Sequence, residues 1–404
     1  MFTVTEARER ILSHFDVKST EIIGLIDAAD RILAVDIPAD VDYPPFDNSA
    51  VDGFALRSED TSASSLTLKV IADIPAGSVP TLTLQTGQAA RIMTGAQLPL
   101  GADCVIPVEE TDFNERNPGT PAPKTITISK QMKSRENIRH RGMDIRAGEI
   151  VLTKGRTLKP QDLGLLASLG HANVTVYKKA RVALLSSGDE LLQVGAPLEP
   201  GKIRDSNSYA LAAAIVNAGA DVIRLGVAKD TRESISQLLD KAASEHVDLI
   251  LSSAGVSVGA FDFIKEVIDA HGKMDFWRVN MRPGKPLAFG EYRGIPFIGL
   301  PGNPVSAFVG FEVFVRPVLE QLNGKMDGRR QTVRVRSEEE IESDGRESYL
   351  RARIQVKNGI RIAILTGHQG SGNLLSLVQA DALLIIPAGV KCVPAGSEVD
   401  AILL

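Results

Sequence analysis

The sequence is poor in several kinds of residue, and each scarcity excludes a class of protein. Only 2 cysteines occur in 404 residues, Cys104 and Cys392, and they form neither a metal-binding nor a redox spacing. So few cysteines in a long chain are typical of a reducing compartment, and we expect a cytoplasmic protein. No apolar run reaches the roughly 18 residues of a membrane span. The charged N-terminal residues, Glu6 and Arg8 among them, are not those of a signal peptide.

An excess of charge of one sign is also lacking. The chain has 45 Lys and Arg against 50 Asp and Glu, a formal net charge of -5. A partner that is a nucleic acid or an anionic membrane calls for a basic excess, so we expect neither. The 6 histidines are scattered, and the 2 cysteines are far apart in the sequence. The chemistry is therefore expected from carboxylates, cations and backbone amides.

The N-terminal part changes from a helical to a strand-like pattern. Apolar residues recur at helical spacing over residues 4–15, and Thr3 and Glu6 have the spacing of a capping box. A second helix is predicted over residues 22–34. Residues 50–143 have the alternation and turn residues of short strands, which predicts a β-rich region.

Strand and helix patterns alternate between about residues 180 and 322. Strands are predicted at residues 182–185, 222–225, 249–251 and 297–300, with helices between them. Alternation of this kind predicts a doubly wound parallel sheet with helices on both faces. Residues 327–404 are predicted to form a small separate β domain.

Ligands on an open α/β sheet bind beyond the carboxyl ends of the strands, so the loops after the predicted strands are candidates for one site. The longest, residues 252–262, is rich in small residues: Gly255 and Gly259 can take positive φ beside an anion, and Asp262 adds a carboxylate. The other loops carry Ser187, Gly188, Asp189, Glu190, Asp230, Arg282, Lys285, Pro301, Asn303 and Pro304. This set suits a phosphorylated ligand with a divalent metal ion.

Each of these features also has a purely structural interpretation. The two glycines could simply form a tight strand-to-helix turn. Asp230 could be a turn or cap residue, and Arg282 a solvated surface cation. Their joint occurrence at sheet ends favours a site.

A family resemblance rests on ordered motifs. Residues 47–57, with the sequence DNSAVDGFALR, resemble the signature of the MoeA family of molybdopterin molybdotransferases, which includes the gephyrin E domain. Further motifs similar to that family follow in order at residues 91–103, 137–144, 187–191, 205–207, 252–262, 283–286, 299–307 and 366–371.

The resemblance implies an elongated homodimer of four-domain subunits. Domain I, a discontinuous α+β linker domain, would comprise residues 1–49 and 144–177, and domain II, a β-rich insertion, residues 50–143. Domain III, residues 178–326, would be the doubly wound α/β catalytic domain, similar to MoaB and MogA. Domain IV, residues 327–404, would be a small β barrel. The active site in domain III of one subunit would face domain II of the other.

The reaction implied by the resemblance is molybdenum insertion. Adenylylated molybdopterin and molybdate would be the substrates, and AMP would leave as the phosphoanhydride is cleaved with the help of Mg²⁺. Contacts with the molybdopterin adenylyltransferase and with apo-molybdoenzymes are also implied.

The resemblance further implies roles for individual residues. The catalytic residues would be Asp52, Thr94, Glu190, Asp230, Asp262, Arg278 and Arg282, with Asp52 and Thr94 supplied by the partner subunit. Mg²⁺ would be held by Glu190, Asp230 and Asp262. The substrates would be bound by Ser187, Gly188, Asp189, Ser253, Gly255, Ser257, Gly259, Lys285, Pro301, Asn303, Pro304, Arg139 and Arg141.

Some positions depart from the family pattern. Arg278 and Arg282 stand where lysines are common, and a planar guanidinium holds oxyanions differently from an ammonium group. Ala254 replaces a frequent glycine, Val51 a frequent methionine, and Ala260 a common glutamate.

Three alternatives remain open from the sequence. One is a molybdopterin-binding scaffold without catalysis, as the gephyrin E domain also anchors receptor tails. Another is the preceding adenylyltransferase step, whose family carries a Thr-Gly-Gly-Thr-Gly loop where this chain has residues 253–257. The third is tungstate in place of molybdate.

Overall fold

The computed structural model describes residues 1–62, 65–113, 119–253, 260–325 and 332–404, without the side chains of residues 260–262, 276 and 277. No helix in those ranges combines the length and hydrophobicity that a membrane crossing requires.

Helices occur along the whole of the described chain, and most of them lie after residue 200. In chain order they are α1 (Val4–Leu12), α2 (Pro160–Ser168), α3 (Asn207–Asn217), α4 (Arg232–Ser244), α5 (Ala260–Asp269), α6 (Pro304–Gly310), α7 (Arg316–Leu322) and α8 (Leu374–Val378). A π-helical segment, Phe311–Val315, joins α6 to α7.

The strands are mostly short. They are β1 (Thr20–Gly24), β2 (Ile37–Pro38), β3 (Asn48–Ser49), β4 (Gly53–Leu56), β5 (Leu66–Ile74), β6 (Gln88–Ile92), β7 (Cys104–Pro107), β8 (Thr125–Ile128), β9 (Ile138–Arg139), β10 (Ile150–Leu152), β11 (Asn173–Tyr177), β12 (Arg181–Ser187), β13 (Leu191–Leu192), β14 (Ile203–Arg204), β15 (Asp221–Ala228), β16 (Leu249–Ser253), β17 (Gly272–Arg278), β18 (Met281–Arg282), β19 (Pro286–Tyr292), β20 (Ile295–Leu300), β21 (Thr332–Ser337), β22 (Ile341–Glu342), β23 (Glu347–Lys357), β24 (Ile360–Leu365), β25 (Ala382–Ile386), β26 (Cys392–Val393) and β27 (Glu398–Leu403).

The chain forms two compact units. The main unit contains residues 1–34, 155–159 and 173–404, and the insertion unit contains residues 35–154 and 160–172. The finer division into four domains stays a prediction.

The insertion unit is built on a five-stranded sheet of order β7-β4-β6-β5-β8. Phe54, Leu68 and Ile106 are fully buried in its core. Gly53 allows β4 and β7 to approach closely, because a Cβ atom there would lie 2.0 Å from the carbonyl oxygen of Ile106. The β-rich character predicted for this part of the chain is confirmed.

In the main unit, α1 begins at a capping box in which Thr3 and Glu6 bond each other's backbone amides, as predicted. The second predicted helix, over residues 22–34, is wrong. Its first residues form β1, which pairs with β11, and a 3-10 turn follows at Leu25–Ala28. Strand pairing of the β-branched residues overrides the helical spacing.

The central sheet of the main unit has the order β15-β12-β16-β20-β19-β17. The side chains of β12 alternate between two cores: Leu184 faces the core that contains α3, and Leu185 faces the core that contains α4 and α5. The predicted helices on both faces are therefore confirmed.

The predicted parallel arrangement holds for β15, β12, β16 and β20, but β19 is antiparallel to both of its neighbours. The reason is a two-residue hairpin between β19 and β20, in which Arg293 and Gly294 both have positive φ. An arginine at such a position is a weak sequence signal, so the hairpin was missed.

The C-terminal region is a closed barrel. Its strands run β23-β24-β21-β27-β25, and β25 pairs back onto β23. Leu350, Ala352 and Leu384 fill its interior. The predicted C-terminal β barrel is confirmed.

Candidate functional site

The predicted loops meet at one edge of the central sheet. Asp230 follows β15, the segment from Gly188 to Glu190 follows β12, and β16 ends at Ser253. Pro301 follows β20, and Lys285 precedes β19, whose reversed direction brings its start to the same edge. From β12 to β19 there are three strand spacings of about 4.8 Å, or about 14 Å. Asp230 and Glu190 therefore stand toward one end of this edge and Lys285 toward the other.

A cavity of about 660 Å³ opens along this edge. The predicted site residues that line it are Glu190, Ser253, Arg282, Lys285, Pro301, Asn303 and Pro304. The predicted residues of the main unit that are described but do not line it are Ser187, Gly188, Asp189, Asp230 and Arg278. Gly255, Ser257, Gly259 and the side chain of Asp262 lie outside the described residues.

Asp189 and Asp230 hold each other by reciprocal hydrogen bonds. The backbone N–H of Asp189 donates to Oδ2 of Asp230 at 3.3 Å, and that of Asp230 donates to Oδ1 of Asp189 at 3.2 Å. The other oxygen of Asp230, Oδ1, is buried without a hydrogen-bond partner in the described structure. Burial raises the pKa of Asp230, and the charges of Asp189 and Glu190 raise it further.

Glu190 lies over the turn that precedes it. Gly188 has a φ of 147°, a backbone conformation that favours glycine, and a Cβ atom there would lie 2.6 Å from the movable end of the Glu190 side chain. Beside it, Ser187 is fully buried at the end of β12, and its hydroxyl has no hydrogen-bond partner in the described structure. Two buried polar atoms without partners, Ser187 Oγ and Asp230 Oδ1, therefore lie at neighbouring strand ends.

We call Asp189, Glu190 and Asp230 the acidic end of the site. Within the described side chains, no group of three or more His, Cys, Asp or Glu has an arrangement that could hold a metal ion. Asp262, the third predicted metal ligand, lies in the first turn of α5.

Arginines and a lysine form the opposite, cationic end. Arg282, Lys285 and Arg346 line the cavity. Asp344 orients two of them: it accepts from Arg346 Nε at 3.0 Å and lies 3.9 Å from Arg282 Nη1. The hydrogen bonds from Arg346, and the positive charges of both arginines, lower the pKa of Asp344.

The barrel supplies a wall that the residue-by-residue prediction missed. Gln369, Gly370 and Ser371 line the cavity, and the Ser371 carbonyl accepts from the Val305 amide at 3.1 Å. These three belong to the motif at residues 366–371, which could have identified them. Arg346 had no comparable signal, because it precedes a strand in an unremarkable charged turn.

The predicted residues of the insertion unit form two separate hydrogen-bonded groups. Asp52 Oδ1 accepts from the Thr94 amide at 2.7 Å and from the Thr94 hydroxyl at 2.8 Å. These bonds hold the pKa of Asp52 below its usual value. Residues 42 positions apart in the sequence are thus brought together.

The two predicted arginines of this unit lie on β9 and directly after it. Arg139 is on β9 and pairs with Asn48 on β3. Arg141 follows it, and its Nε donates to Asp42 at 2.7 Å while its amide donates to Asp47 at 2.7 Å. Both arginines are exposed.

Three family models match the chain in succession. They are described as "MoeA N-terminal region (domain I and II)", over residues 2–170, "Probable molybdopterin binding domain", over residues 183–321, and "MoeA C-terminal region (domain IV)", over residues 327–404.

Relatives match over most of their length. A molybdopterin molybdenumtransferase from Nostoc sp. is 39% identical over 95% of this chain and 88% of its own. One from Haemophilus influenzae is 41% identical over 80% of this chain and 78% of its own. The crystal structure of the molybdopterin biosynthesis moeA protein from Pyrococcus horikoshii OT3 superimposes with a TM-score of 0.82 at 31% identity and covers 100% of both chains. This chain therefore belongs to the MoeA family.

Proposed function

We propose that this protein is a molybdopterin molybdenumtransferase of molybdenum cofactor biosynthesis. Its substrates are adenylylated molybdopterin and molybdate. Water hydrolyses the phosphoanhydride between the adenylyl group and the pterin phosphate and AMP is released, and molybdate exchanges an oxo group, which leaves as water, for the two dithiolene sulfurs of the pterin. The names of the relatives support the general role, and the cavity supports the particular chemistry.

The observation that carries the proposal is one cavity that holds Glu190 after β12 and Arg282 and Lys285 before β19, with three strand spacings, or about 14 Å, between those two strands. A substrate with a phosphoanhydride in its middle needs a cation near its phosphates and a separate place for the incoming oxyanion. Glu190 stands at one end of the cavity, and Arg282 and Lys285 stand at the other. A single substrate extended along the sheet edge would reach both.

The acidic end fits Mg²⁺, which prefers oxygen ligands. Asp230 has a buried oxygen without a partner in the described structure and a raised pKa, as expected of a carboxylate that lacks a neutralising cation. Glu190, Asp230 and Asp262 would hold the ion, with Asp189 fixing Asp230 in place. Bound there, Mg²⁺ would neutralise charge on the phosphates.

The cationic end would bind the oxyanion. Arg282 offers a planar fork of donors and Lys285 a compact charge. Asp344 bridges the two arginines, because its Oδ2 pairs with Arg346 and also lies 3.9 Å from Arg282 Nη1. Pro301, Asn303 and Pro304 form the floor between the two ends.

We further propose that the active enzyme is a cytoplasmic homodimer. Asp52 and Thr94 of one subunit, with Arg139 and Arg141, would then complete the cavity of the other subunit. The Asp52–Thr94 pair is already ordered by its own hydrogen bonds, as a contribution to a partner's site requires.

The test is AMP release from adenylylated molybdopterin with Mg²⁺, with and without molybdate. Release that depends on molybdate and is lost in Asp262→Asn is the expected result. Tight binding of the adenylylated pterin without release under any oxyanion would instead indicate a scaffold. Formation of the adenylylated pterin from ATP would indicate the preceding step of the pathway, and faster release with tungstate would change the assigned metal.

A further inference from the structure

A second cavity, of about 430 Å³, opens at the opposite edge of the central sheet from the proposed active site. Its lining includes Lys179 and Gly219, which lie just before β12 and β15 begin. The length of β12, about 20 Å, therefore separates the two cavities. The volume lies within the range of small-molecule sites, about 300–1,000 Å³.

Asn323 fixes the wall of this second cavity by connecting three segments of the main unit. Its Oδ1 accepts from the Ala180 amide at 2.8 Å. Its Nδ2 donates to the carbonyl oxygens of Ala218 and Gly219, at 3.3 and 3.1 Å. Asn323 follows α7 and is buried. Because these bonds are all internal, the wall is held in place before a ligand enters.

Glu320, on α7, lines the second cavity, and only 7% of its surface is exposed. Lys325 donates to its Oε1 at 2.9 Å, whereas its Oε2 is buried and has no hydrogen-bond partner in the described structure. A buried acceptor without a partner is costly, and a donor that entered the cavity would remove this cost. The terminal torsion of a glutamate is broad, so a small rotation would turn Oε2 toward such a donor.

The end of α3 also favours a cation at this place. The helix carries no charged residue between Asn207 and Asn217, and its last residues, Val216 and Asn217, line the second cavity. The carboxyl end of a helix carries partial negative charge, which attracts an ammonium or guanidinium group. Glu320 and α3 therefore provide a place for a cationic group.

Lys179 supplies the opposite charge. It precedes Ala180, whose amide is held by Asn323, and Glu320 is one helical turn before Asn323. Both charges therefore lie near the Asn323 side chain. The ion pair of Lys179 with Asp221 is long, at 3.9 Å, so its ammonium group is weakly neutralised.

The other charged residues of the lining are already in ion pairs. These pairs are Arg31 with Glu21, Lys159 with Asp30, Arg316 with Glu312, and Lys325 with Glu320. A purely anionic ligand would meet the carboxylate of Glu320, and a purely cationic ligand would meet the ammonium group of Lys179. A ligand with both charges would gain at both groups, because each would bind a partner of opposite charge.

We propose that the second cavity binds a small zwitterion of the α-amino acid class. Oε2 of Glu320 accepts from the ammonium group beside the end of α3, and Lys179 donates to the carboxylate. Ile32 and Tyr177 add apolar surface for the rest of the ligand. This site shares no lining residue with the proposed active site among the residues that the structure describes.

The test begins with the melting temperature of the full-length protein in the presence of each common α-amino acid. The amino acid that raises it most is then titrated by calorimetry. Two analogues of the same skeleton are titrated beside it, the amine without the carboxylate and the carboxylic acid without the amino group. The amino acid is expected to bind at least about tenfold more tightly than either analogue, because each analogue loses a charged hydrogen bond.

Two substitutions assign the two charges. Glu320→Gln is expected to lower the affinity for the amino acid about tenfold without lowering that for the carboxylic acid. Lys179→Met should lower the affinity for the amino acid about threefold, since Lys179 is exposed, without lowering that for the amine. A loss of packing alone would weaken all three ligands.

Lys178→Met is the matched control, because it removes the neighbouring exposed cation, which does not line the second cavity. It should bind the amino acid as the unmodified protein does. Both lysines are on the surface, so this pair of variants keeps the test decisive if Glu320→Gln does not fold.

The proposal is wrong if no amino acid raises the melting temperature. It is also wrong if the amine binds as tightly as the amino acid, which would indicate a site for a simple cation. Equal losses in Lys178→Met and Lys179→Met would likewise contradict it. AMP release is measured without amino acids, so these outcomes are independent of the molybdenum reaction.

Discussion

Asp52 and Asp230 are both predicted catalytic carboxylates, but they differ in hydrogen bonding, and their pKa values are shifted in opposite directions. Asp52 in the insertion unit accepts two hydrogen bonds from Thr94, and its pKa is lowered. Asp230 in the main unit accepts one long bond from Asp189, leaves its second oxygen buried without a partner in the described structure, and has a raised pKa. Asp52 has its hydrogen-bond donors, whereas Asp230 keeps one buried oxygen without a donor in the described structure.

The difference indicates that these two predicted catalytic carboxylates have different roles. A carboxylate that already accepts hydrogen bonds keeps its orientation and its charge before any ligand binds. This property suits a residue that contacts the surface of a partner subunit. An unsatisfied one among like charges gains most when a metal ion enters. Substitutions can test this contrast, and the largest effect is expected at the acidic end.

Removing charge from the acidic end should abolish catalysis. Asp230→Asn and Glu190→Gln are each expected to lower AMP release by about 100-fold or more, because the site would lose a metal ligand. Asp221→Asn, at the opposite end of β15, is the matched control and should retain activity. Full activity in Asp230→Asn would remove the basis for a metal at this end.

The same substitution should stabilise the protein when no divalent cation is present. The folded-state pKa of Asp230 lies above the ordinary value of 3.8, so its contribution to stability is full at low pH and is lost as the pH rises through the raised pKa. Asp230→Asn should therefore melt a few degrees higher than the unmodified protein at neutral pH in a chelator. Excess Mg²⁺ should remove that advantage, since only the unmodified protein gains from the ion.

Mixed dimers should recover activity if Asp52 serves the partner subunit. Asp52→Asn and Asp262→Asn subunits, each inactive alone, are denatured together and refolded in equal amounts. Half of the dimers would then carry both substitutions on different subunits, with one intact site, so about a quarter of the unmodified activity is expected. No recovery, with mixed dimers verified by mass spectrometry, would place Asp52 and Asp262 in the same subunit's site.

A similar contrast exists between two predicted catalytic arginines, Arg282 and Arg278. Arg282 lines the cavity beside Asp344, whereas Arg278, at the end of β17, is exposed outside its lining. Arg282→Met is expected to raise KM for molybdate at least about tenfold, the loss of one charged hydrogen bond. Arg278→Met should raise it less. Equal effects in steady-state assays would show that Arg278 reaches the ligand as well.

The smallest effect is expected at Thr94. Thr94→Val deletes the hydroxyl that donates to Asp52 and keeps the backbone amide, whereas Thr94→Ser keeps both donors. A lowered folded-state pKa stabilises the protein above the ordinary Asp value, and that stability is lost as the pH falls through the lowered pKa. Thr94→Val should therefore lose less stability than the unmodified protein as the pH falls below the ordinary Asp value, measured in urea titrations. The cost at neutral pH should be about 1 kcal/mol or less, because Asp52 is exposed.

The sequence predicted the elements whose signals are local. The capping box of Thr3 and the burial of β12 on both faces follow from spacing alone, and the sheet-end rule brought Glu190, Ser253 and Pro301 to one cavity. The ordered motifs predicted the barrel.

What the sequence could not predict depends on contacts between distant residues. The region after Thr20 pairs with β11, about 150 positions away, and that pairing overrides its helical spacing. The reversed β19 depends on the Arg293–Gly294 hairpin. The burial of Arg351, on β23, was not predicted, because an arginine inside a strand is ordinarily expected on the surface.

The closed barrel supplies one wall of the cavity from a separate segment of the chain. The acidic end comes from strands before residue 254, whereas the Gln369–Ser371 wall comes from the last family segment, residues 327–404. The barrel pairs its own edges, but β18, which carries Arg282, also pairs with β23 of the barrel. The cationic end is therefore held by both segments. A chimaera that carries the barrel of a relative would have to preserve the pairing of β18 with β23 to keep Arg282 in place.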